Sequence, residues 1–307
     1  MVKIGLLTGM EETFPLAFME QVQKQSGGRV AAELIRLGGS RQAEGCEYAL
    51  IIDRLSHQVK YYRAYLKNAA LAGTRVVNNP FWRDADDKFF QYSLASRLGI
   101  AVPRTMVLPQ QRVAEGVAPQ DLRNLVYPLD WNRIVDYVGF PAILKPYVGG
   151  SWRHIYQVNS MDELLETYNQ TGELCMVLQE CIEYDHYIRC LCVAKTNILP
   201  IKYDPVLRQY IVEHEHLTEE MGLRIEQDSQ RLNQALGYDV NSIEYAIRDG
   251  IPYLIDALNP APDFSLYSLT RHYFEIVVDW MVKMALEYAE QPRELQPDLR
   301  WQKFLTS

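Results

Sequence analysis

A lysine at the end of an apolar stretch, followed by a glycine-containing loop, is the first feature of this sequence that could do chemistry. Lys145 ends the run 142–145, and Gly149, Gly150 and Ser151 follow shortly after it. A lysine offers a point charge to a phosphate, and glycines allow backbone N–H groups to approach phosphate oxygens closely. The pattern indicates a phosphate-binding loop, and an exposed lysine before a hairpin turn is the alternative.

Two carboxylates and an amide lie on a late segment that is typical of a β-hairpin. Glu244 and Asp256 flank the turn residues 248–250 and have apolar neighbours, and Asn259 follows them. A carboxylate among apolar residues is costly unless it is paired or binds a cation. Adjacent hairpin strands would bring these oxygens together, and oxygen ligands suit Mg²⁺ held with substrate phosphates. A pair of solvent-facing carboxylates on an edge hairpin is the alternative.

A third candidate is the apolar strand at 177–180, which opens into a polar segment at Glu180. A strand of this kind could present its backbone groups to the edge of a purine. Taken alone, it is more typical of an ordinary strand end.

The elements that must position these residues begin with alternating strands and helices over the first hundred residues. Such alternation predicts a parallel sheet covered by helices. The predicted strands are 2–8, 30–37, 48–52 and 75–78, and the predicted helices are 14–25, 61–72 and 87–98.

From residue 139 onward the pattern changes, because the strand-like runs after residue 174 come close together. This change predicts antiparallel pairing and an α+β second domain. Residues 109–138 show no regular pattern. The predicted strands are 142–145, 155–158, 176–179, 188–194, 243–247 and 253–255, and the predicted helices are 161–170, 219–236 and 273–290.

Length and composition limit the class of protein. A chain of 307 residues is typical of two domains or one large one. Its 31 Lys and Arg against 39 Asp and Glu give a formal charge of −8, which argues against a general nucleic-acid or anionic-membrane binder. No apolar run reaches the roughly 18 residues of a membrane span. Five cysteines without a CxxC motif favour reduced thiols and a cytoplasmic location.

The order of these motifs along the chain resembles the ATP-grasp superfamily of carboxylate–amine ligases. An α/β region comes first, followed by Asp87-Lys88 and the segment 99–105. The strand ending at Lys145, the strand ending at Glu180 and the acidic hairpin with Asn259 then follow in that order. Each motif is loose by itself, and the specific feature is their order and spacing over nearly the whole chain. Within the superfamily the spacing is most similar to RimK-like glutamate and amino-acid ligases.

The resemblance implies the ATP-grasp fold of class α/β plus α+β. An N-terminal parallel α/β pre-ATP-grasp domain, expected at 1–105, precedes the ATP-grasp domain, expected at 106–307. The second domain is expected to comprise a lid-like subdomain at 106–175 and a metal-binding subdomain at 176–307. These two α+β subdomains would carry an antiparallel sheet and clamp the nucleotide.

The resemblance also implies roles for individual residues. The lysines and the glycine loop would contact ATP phosphates, the segment 180–182 would form the adenine hinge, and Asp185 or a near neighbour would face the ribose. The implied ATP-binding residues are Lys88, Lys145, Gly149, Gly150, Ser151, Glu180, Cys181, Ile182 and Asp185. The implied catalytic residues, facing the phosphates or an acyl phosphate, are Arg189 and Lys202. The implied ligands of Mg²⁺, for which Mn²⁺ is an alternative, are Glu244, Asp256 and Asn259.

The sequence departs from the family pattern at three points. Tyr187 stands where the family usually has Asp in a D-I-R motif. The usual metal-binding Glu lies two residues before the Asn, and Ala257 occupies that place here. We interpret Asp256 as its counterpart, with one extra residue forming a bulge. The loop after Lys145 has only two glycines and carries Trp152 and Arg153, which is consistent with a less mobile lid or with a lid that contacts substrate.

The reaction implied by the resemblance is ATP-dependent ligation. The γ-phosphoryl of ATP is transferred to the carboxylate of a small acid, such as an amino acid or peptide. An amine then attacks the acyl phosphate, and ADP and phosphate leave. The implied partners are small carboxylates and amines, without nucleic acid or membrane, and a homodimer is an allowed assembly.

Three alternatives to this reading remain open. A thiol could replace the amine as the nucleophile. The chain could be a non-catalytic ATP-binding module of the same fold, acting as a regulatory or interaction protein. It could also be a domain of a biosynthetic assembly that docks a carrier protein or leader peptide through 109–138.

Overall fold

The computed structural model describes residues 1–82, 86–149, 154–212 and 217–291. The chain divides into two compact units. The first unit comprises Met1–Ala85, Arg189–Ser242 and Pro260–Ser307, and the second comprises Asp86–Ile188 and Ile243–Asn259. The domain boundary expected at residue 105 stays a prediction.

The first unit contains the parallel sheet that the sequence predicts. Its strand order is β2-β1-β3-β4, and every neighbouring pair is parallel. The strands are β1 (Val2–Leu7), β2 (Val30–Leu34), β3 (Leu50–Asp53) and β4 (Arg75–Val77). Two helices follow strands of this sheet, α1 (Thr13–Gln25) and α2 (Lys60–Leu71).

Helix α1 shows why these elements form. Phe14, Phe18 and Val22 recur at a spacing of four residues, so they lie along one stripe of the helix, and all three are fully buried. The strand residues Ile4 and Ile51 are also fully buried, as expected for a parallel sheet covered by helices.

The second unit contains a four-stranded sheet with the order β5-β8-β6-β7, in which all pairs are antiparallel. Its strands are β5 (Thr105–Leu108), β6 (Ala142–Pro146), β7 (Tyr156–Val158) and β8 (Met176–Glu180). Its helices are α3 (Lys88–Arg97), α4 (Trp131–Val138) and α5 (Met161–Asn169), and a 3-10 helix spans Pro119–Leu122.

The two faces of this sheet have different chemistry. Leu144 and Leu178 belong to a hydrophobic core with residues of α4 and α5. Because side chains alternate along a strand, the neighbouring residues Lys145 and Gln179 point to the opposite face. The candidate lysine therefore lies on the face of strands β6 and β8 opposite this core.

A five-stranded sheet has the order β11-β10-β9-β12-β13. Its strands are β9 (His186–Val193), β10 (Asn197–Asp204), β11 (Gln209–Ile211), β12 (Val240–Arg248) and β13 (Ile251–Asn259). The boundary between the two compact units lies within strands β9 and β12. The remaining helices are α6 (Glu219–Leu236) and α7 (Leu266–Glu290). The predicted turn between β12 and β13 is confirmed, since Asp249 and Gly250 both adopt positive φ.

Several elements were not predicted. Helix α4 lies in the segment 109–138, where the sequence indicates no regular structure, although Trp131, Ile134 and Val138 follow helical spacing. Asp130 begins this helix by accepting the N–H of Arg133. The sequence also indicates no strand at β10 or β11, and helix α7 starts seven residues before the predicted Tyr273.

Two sequence expectations about cysteines and membrane helices can be compared with the structure. All five cysteines are free thiols, in agreement with the expectation. Within the described ranges, no helix has the length and hydropathy needed to cross a membrane.

Candidate functional site

The centre of the candidate site is Lys145 on strand β6, which is almost completely buried. Its Nζ donates to the hydroxyl of Tyr92 at 2.8 Å and to Oε1 of Gln179 at 2.9 Å. Burial lowers the pKa of Lys145 below its usual 10.5, and the carboxylates of Asp256 and Glu244 oppose this shift. The lysine is thus held by neutral groups, with two carboxylates close enough to act on its charge.

The second lysine, Lys88, lies at the start of helix α3 and is also buried. Its Nζ donates to Oδ2 of Asp256 at 2.7 Å. Burial alone would raise the pKa of Asp256, but the charges of Lys88 and Lys145 outweigh it and bring the pKa to about 2. Asp256 is therefore ionised, bonded to Lys88 and close enough to Lys145 to feel its charge.

The other acidic residue, Glu244, is buried on strand β12. Its Oε2 accepts the Tyr187 hydroxyl at 2.5 Å. Asn259 ends strand β13 and is partly buried. Among the described residues no group of three His, Cys, Asp or Glu side chains is arranged to hold a metal. However, Mg²⁺ held with substrate phosphates needs only one or two carboxylates, so the oxygen set of Glu244, Asp256 and Asn259 fits this ion.

Strand β13 changes its burial pattern between Leu254 and Ala257. Pro252 and Leu254 are buried in alternation, but the next buried residue is Ala257, three positions later. The Ala257 N–H donates to Oε1 of Gln91 at 2.8 Å. This shift by one residue is what an extra residue in the strand produces, and it turns Asp256 rather than Ala257 toward the lysines.

The predicted adenine hinge lies at the end of strand β8. The Glu180 carboxylate accepts the Arg104 Nε at 3.1 Å and the Arg248 Nη1 at 3.3 Å. Burial alone would raise the pKa of Glu180, but these arginines lower it. Since Glu180 shares strand parity with Leu178, its side chain points to the face opposite Lys145. The Glu180 side chain is therefore not placed to meet a purine on the lysine face.

A cavity of about 210 Å³ lies on this opposite face, beside the hinge. Its lining includes Arg104, Phe140, Glu180, Glu183 and Arg248. The following hinge residues differ in exposure: Cys181 is partly buried with its N–H bonded to the Pro141 carbonyl, Ile182 is buried and Asp185 is exposed.

The glycine loop is only partly described. Gly149 is exposed and adopts a φ of +96°, a conformation that glycine reaches without strain. Gly150, Ser151, Trp152 and Arg153 lie outside the described residues.

The two predicted catalytic residues lie in the first compact unit. The Arg189 guanidinium lies over the ring of Tyr203, with Cζ 4.8 Å from the ring centroid. Lys202 precedes Tyr203 in strand β10, so its side chain points to the opposite face of the strand. The catalytic roles of Arg189 and Lys202 stay predictions.

The sequence analysis missed three polar partners in this site. Tyr92 and Gln179 bind Lys145, and Tyr187 binds Glu244. Tyr92 carries the clearest signal, because it lies four residues after Lys88 and hence on the same face of helix α3. Gln179 gives a weaker signal. It alternates with the core residues Met176 and Leu178 of strand β8, so its side chain lies on the opposite face of the strand.

Comparison with known proteins agrees with this architecture. No protein-family model matches the chain. A D-alanine–D-alanine ligase of Polynucleobacter asymbioticus is 24% identical over 210 residues, which cover 59% of this chain and 61% of that relative. The chain thus matches about three fifths of the length of that relative.

Solved structures resemble the chain over nearly its full length. The D-alanine–D-alanine ligase of Bacillus anthracis has a TM-score of 0.65 at 17% identity, covering 94% of this chain and 99% of that one. A RimK domain protein of the ATP-grasp type from Sphaerobacter thermophilus has a TM-score of 0.65 at 16% identity, covering 93% of this chain and 100% of that one. The ATP-grasp ligase PsnB, solved with a phosphomimetic variant of a minimal precursor, Mg and ADP, has a TM-score of 0.63 at 13% identity, covering 94% of this chain and 99% of that one.

These likenesses define the class of the fold. The chain has the ATP-grasp fold, with one parallel sheet and two further sheets accompanied by helices. The resemblance inferred from the order of the motifs is confirmed at the level of the fold.

Proposed function

We propose that this protein is an ATP- and Mg²⁺-dependent ligase that joins a small carboxylic acid to an amine. The substrate carboxylate attacks the γ-phosphorus of ATP, which releases ADP and forms an acyl phosphate. The amine then attacks the acyl carbon, the C–O bond to phosphate breaks, and an amide and phosphate result. The ligase names of the similar proteins support this reaction class, and the ATP and Mg–ADP complexes among them support the ligands.

The observation that carries the proposal is a cluster of two buried lysines and two carboxylates. Lys88 is bonded to Asp256, and the charges of Asp256 and Glu244 act on Lys145. Lys145 and Lys88 would neutralise phosphate charge, because phosphoryl transfer needs positioning and electrostatic stabilisation more than covalent protein chemistry. Both lysines and the acidic hairpin belong to the second compact unit. Burial of these charges without a ligand is costly, which supports a role in binding charged groups.

The remaining roles follow the resemblance. Glu244, Asp256 and Asn259 would hold Mg²⁺, which supplies charge neutralisation at the phosphates when bound. Gly149, Gly150 and Ser151 would cover the phosphates, and the backbone of 180–182 would meet the purine, with Asp185 at the ribose. Arg189 would stabilise the transferred phosphoryl group. A phosphate-facing role for Lys202 rests on the resemblance alone.

The experiment is a coupled assay of ADP release with pairs of small acids and amines. D-Alanine and D-serine are the first substrates to test, because similar proteins bear the names D-alanine–D-alanine ligase and D-Ala:D-Ser ligase. We expect ADP release that requires Mg²⁺, an acid and an amine together. ATP binding without stimulated ADP release in any pair would instead support the non-catalytic module.

A further inference from the structure

We infer that Tyr203 is a positioning residue that orients the Arg189 guanidinium through a cation–π contact. This inference rests on the proposed function, since it concerns how one proposed phosphoryl-binding cation is held. Cζ of Arg189 lies 4.8 Å from the Tyr203 ring centroid and 5.9 Å from that of Tyr210. Both distances are within the roughly 6 Å over which a ring attracts a cation.

The two tyrosines form a rigid support. Tyr203 on β10 and Tyr210 on β11 are directly opposite each other in the antiparallel register. Their ring centroids are 5.1 Å apart, at an interplanar angle of 62°. Both side chains are buried, so neither ring can turn away without opening the packing. Such edge-to-face pairs across strands add to sheet stability.

The backbone of Arg189 is also fixed. Its neighbours Ile188 and Cys190 are completely buried in strand β9. Cys190 and Cys192 interact with Ser229 and Asn233 of helix α6, so that helix covers their side of the strand. Because side chains alternate along a strand, Arg189 points away from helix α6.

The ring matters because an arginine side chain has many rotamers. The anchored backbone fixes the position from which the side chain extends. A ring against one face of the guanidinium restricts its rotation. Arginine suits this arrangement, since its planar, delocalised cation stacks on aromatic faces and its fork of N–H donors matches the geometry of a phosphate. Tyr203 thus reduces the entropy cost of ordering the Arg189 side chain when the transferred phosphoryl group binds.

The test compares Tyr203→Phe, which keeps the ring, with Tyr203→Leu, which removes it. Equilibrium dissociation constants for Mg-ATP and Mg-ADP are measured by calorimetry on both variants and the wild type. We expect Tyr203→Phe to stay within about twofold of wild type. We expect Tyr203→Leu to bind ATP about tenfold more weakly and ADP unchanged, because ADP lacks the γ-phosphoryl group that Arg189 is proposed to contact.

A double-mutant cycle links the effect to the arginine. In an Arg189→Ala background, Tyr203→Leu should have no further effect on ATP affinity. If Tyr203→Leu does not fold, Tyr203→Met tests the same contact, since it also removes the ring but leaves a long apolar side chain to fill the space, and it should show the same loss.

Two results would overturn the inference: equal ATP affinities for the Phe and Leu variants, or a loss for Tyr203→Leu that persists without Arg189. If the wild type binds no ATP, the proposed function itself fails, which separates that outcome from both.

Discussion

The lysine cluster of the second compact unit and the arginine of the first hold positive charge in different ways. Lys145 and Lys88 are held by hydrogen bonds and by the Asp256 carboxylate, at distances of 2.7 to 2.9 Å. Arg189 is held against the Tyr203 ring. The positions of the lysines depend on neighbouring charges, and hence on pH. The position of the arginine depends on the presence of the aromatic ring. The cluster should therefore respond to single charge changes, and the arginine to loss of the ring.

The largest effect should come from Lys145→Met. The variant removes a buried charge from the proposed phosphate site, and we expect ADP release to fall by about 10²-fold or more, as for other removed electrostatic groups at active sites. Initial rates at saturating Mg-ATP measure the effect. The control is Lys24→Met, an exposed lysine in α1, which should keep the wild-type rate. A Lys145→Met enzyme with wild-type turnover would remove Lys145 from the proposed mechanism.

A smaller effect should appear in the acid stability of Asp256→Asn. The lysines lower the pKa of Asp256 from 3.8 to about 2 in the folded protein. Above pH 3.8 the ionised carboxylate stabilises the fold, and this contribution is lost as the pH falls toward 2, because the unfolded chain takes up the proton first. Without Asp256 the free energy of unfolding should fall less steeply over this range.

Urea unfolding at several pH values between about 2 and 5 measures this slope. The matched control is Asp136→Asn, an exposed carboxylate on helix α4, which should keep the wild-type pH dependence. Identical slopes for wild type and Asp256→Asn would show that the lysine pairs do not stabilise the carboxylate.

The smallest effect should come from Lys202→Met. Its side chain points to the face of strand β10 opposite Tyr203, and hence opposite the ring that supports Arg189. We expect ADP release to change by less than about threefold, against a much larger loss for Arg189→Met. Parallel assays of the two variants check this order. A larger loss of activity in Lys202→Met than in Arg189→Met would identify Lys202 as the more important catalytic cation.

Much of the fold follows from local sequence. The parallel sheet, the hairpin turn at 249–250 and helix α6 were predicted with little error, because hydrophobic spacing and turn residues specify them. Strand β10 was missed because Pro200 interrupts its pattern, and helix α4 because it lies in a polar stretch with few signals.

The site was predicted less completely, since its partners come from distant segments. Lys88 and Asp256 are 168 residues apart, and Lys145 and Tyr92 are 53 apart. No local pattern encodes such pairs. Strand parity, in contrast, was readable: Glu180 shares the face of Leu178, and Lys202 is adjacent to a buried tyrosine. Parity applied to each candidate residue would have separated side chains on the lysine face from those opposite.

The most direct test of the account is a calorimetric titration of the wild-type protein with Mg-ATP, repeated with Lys145→Met. The account predicts saturable binding of one nucleotide to the wild type and a loss of affinity of at least tenfold in the variant. No binding to the wild type, or equal affinity in both proteins, would contradict the claim that the buried lysine cluster is a nucleotide site.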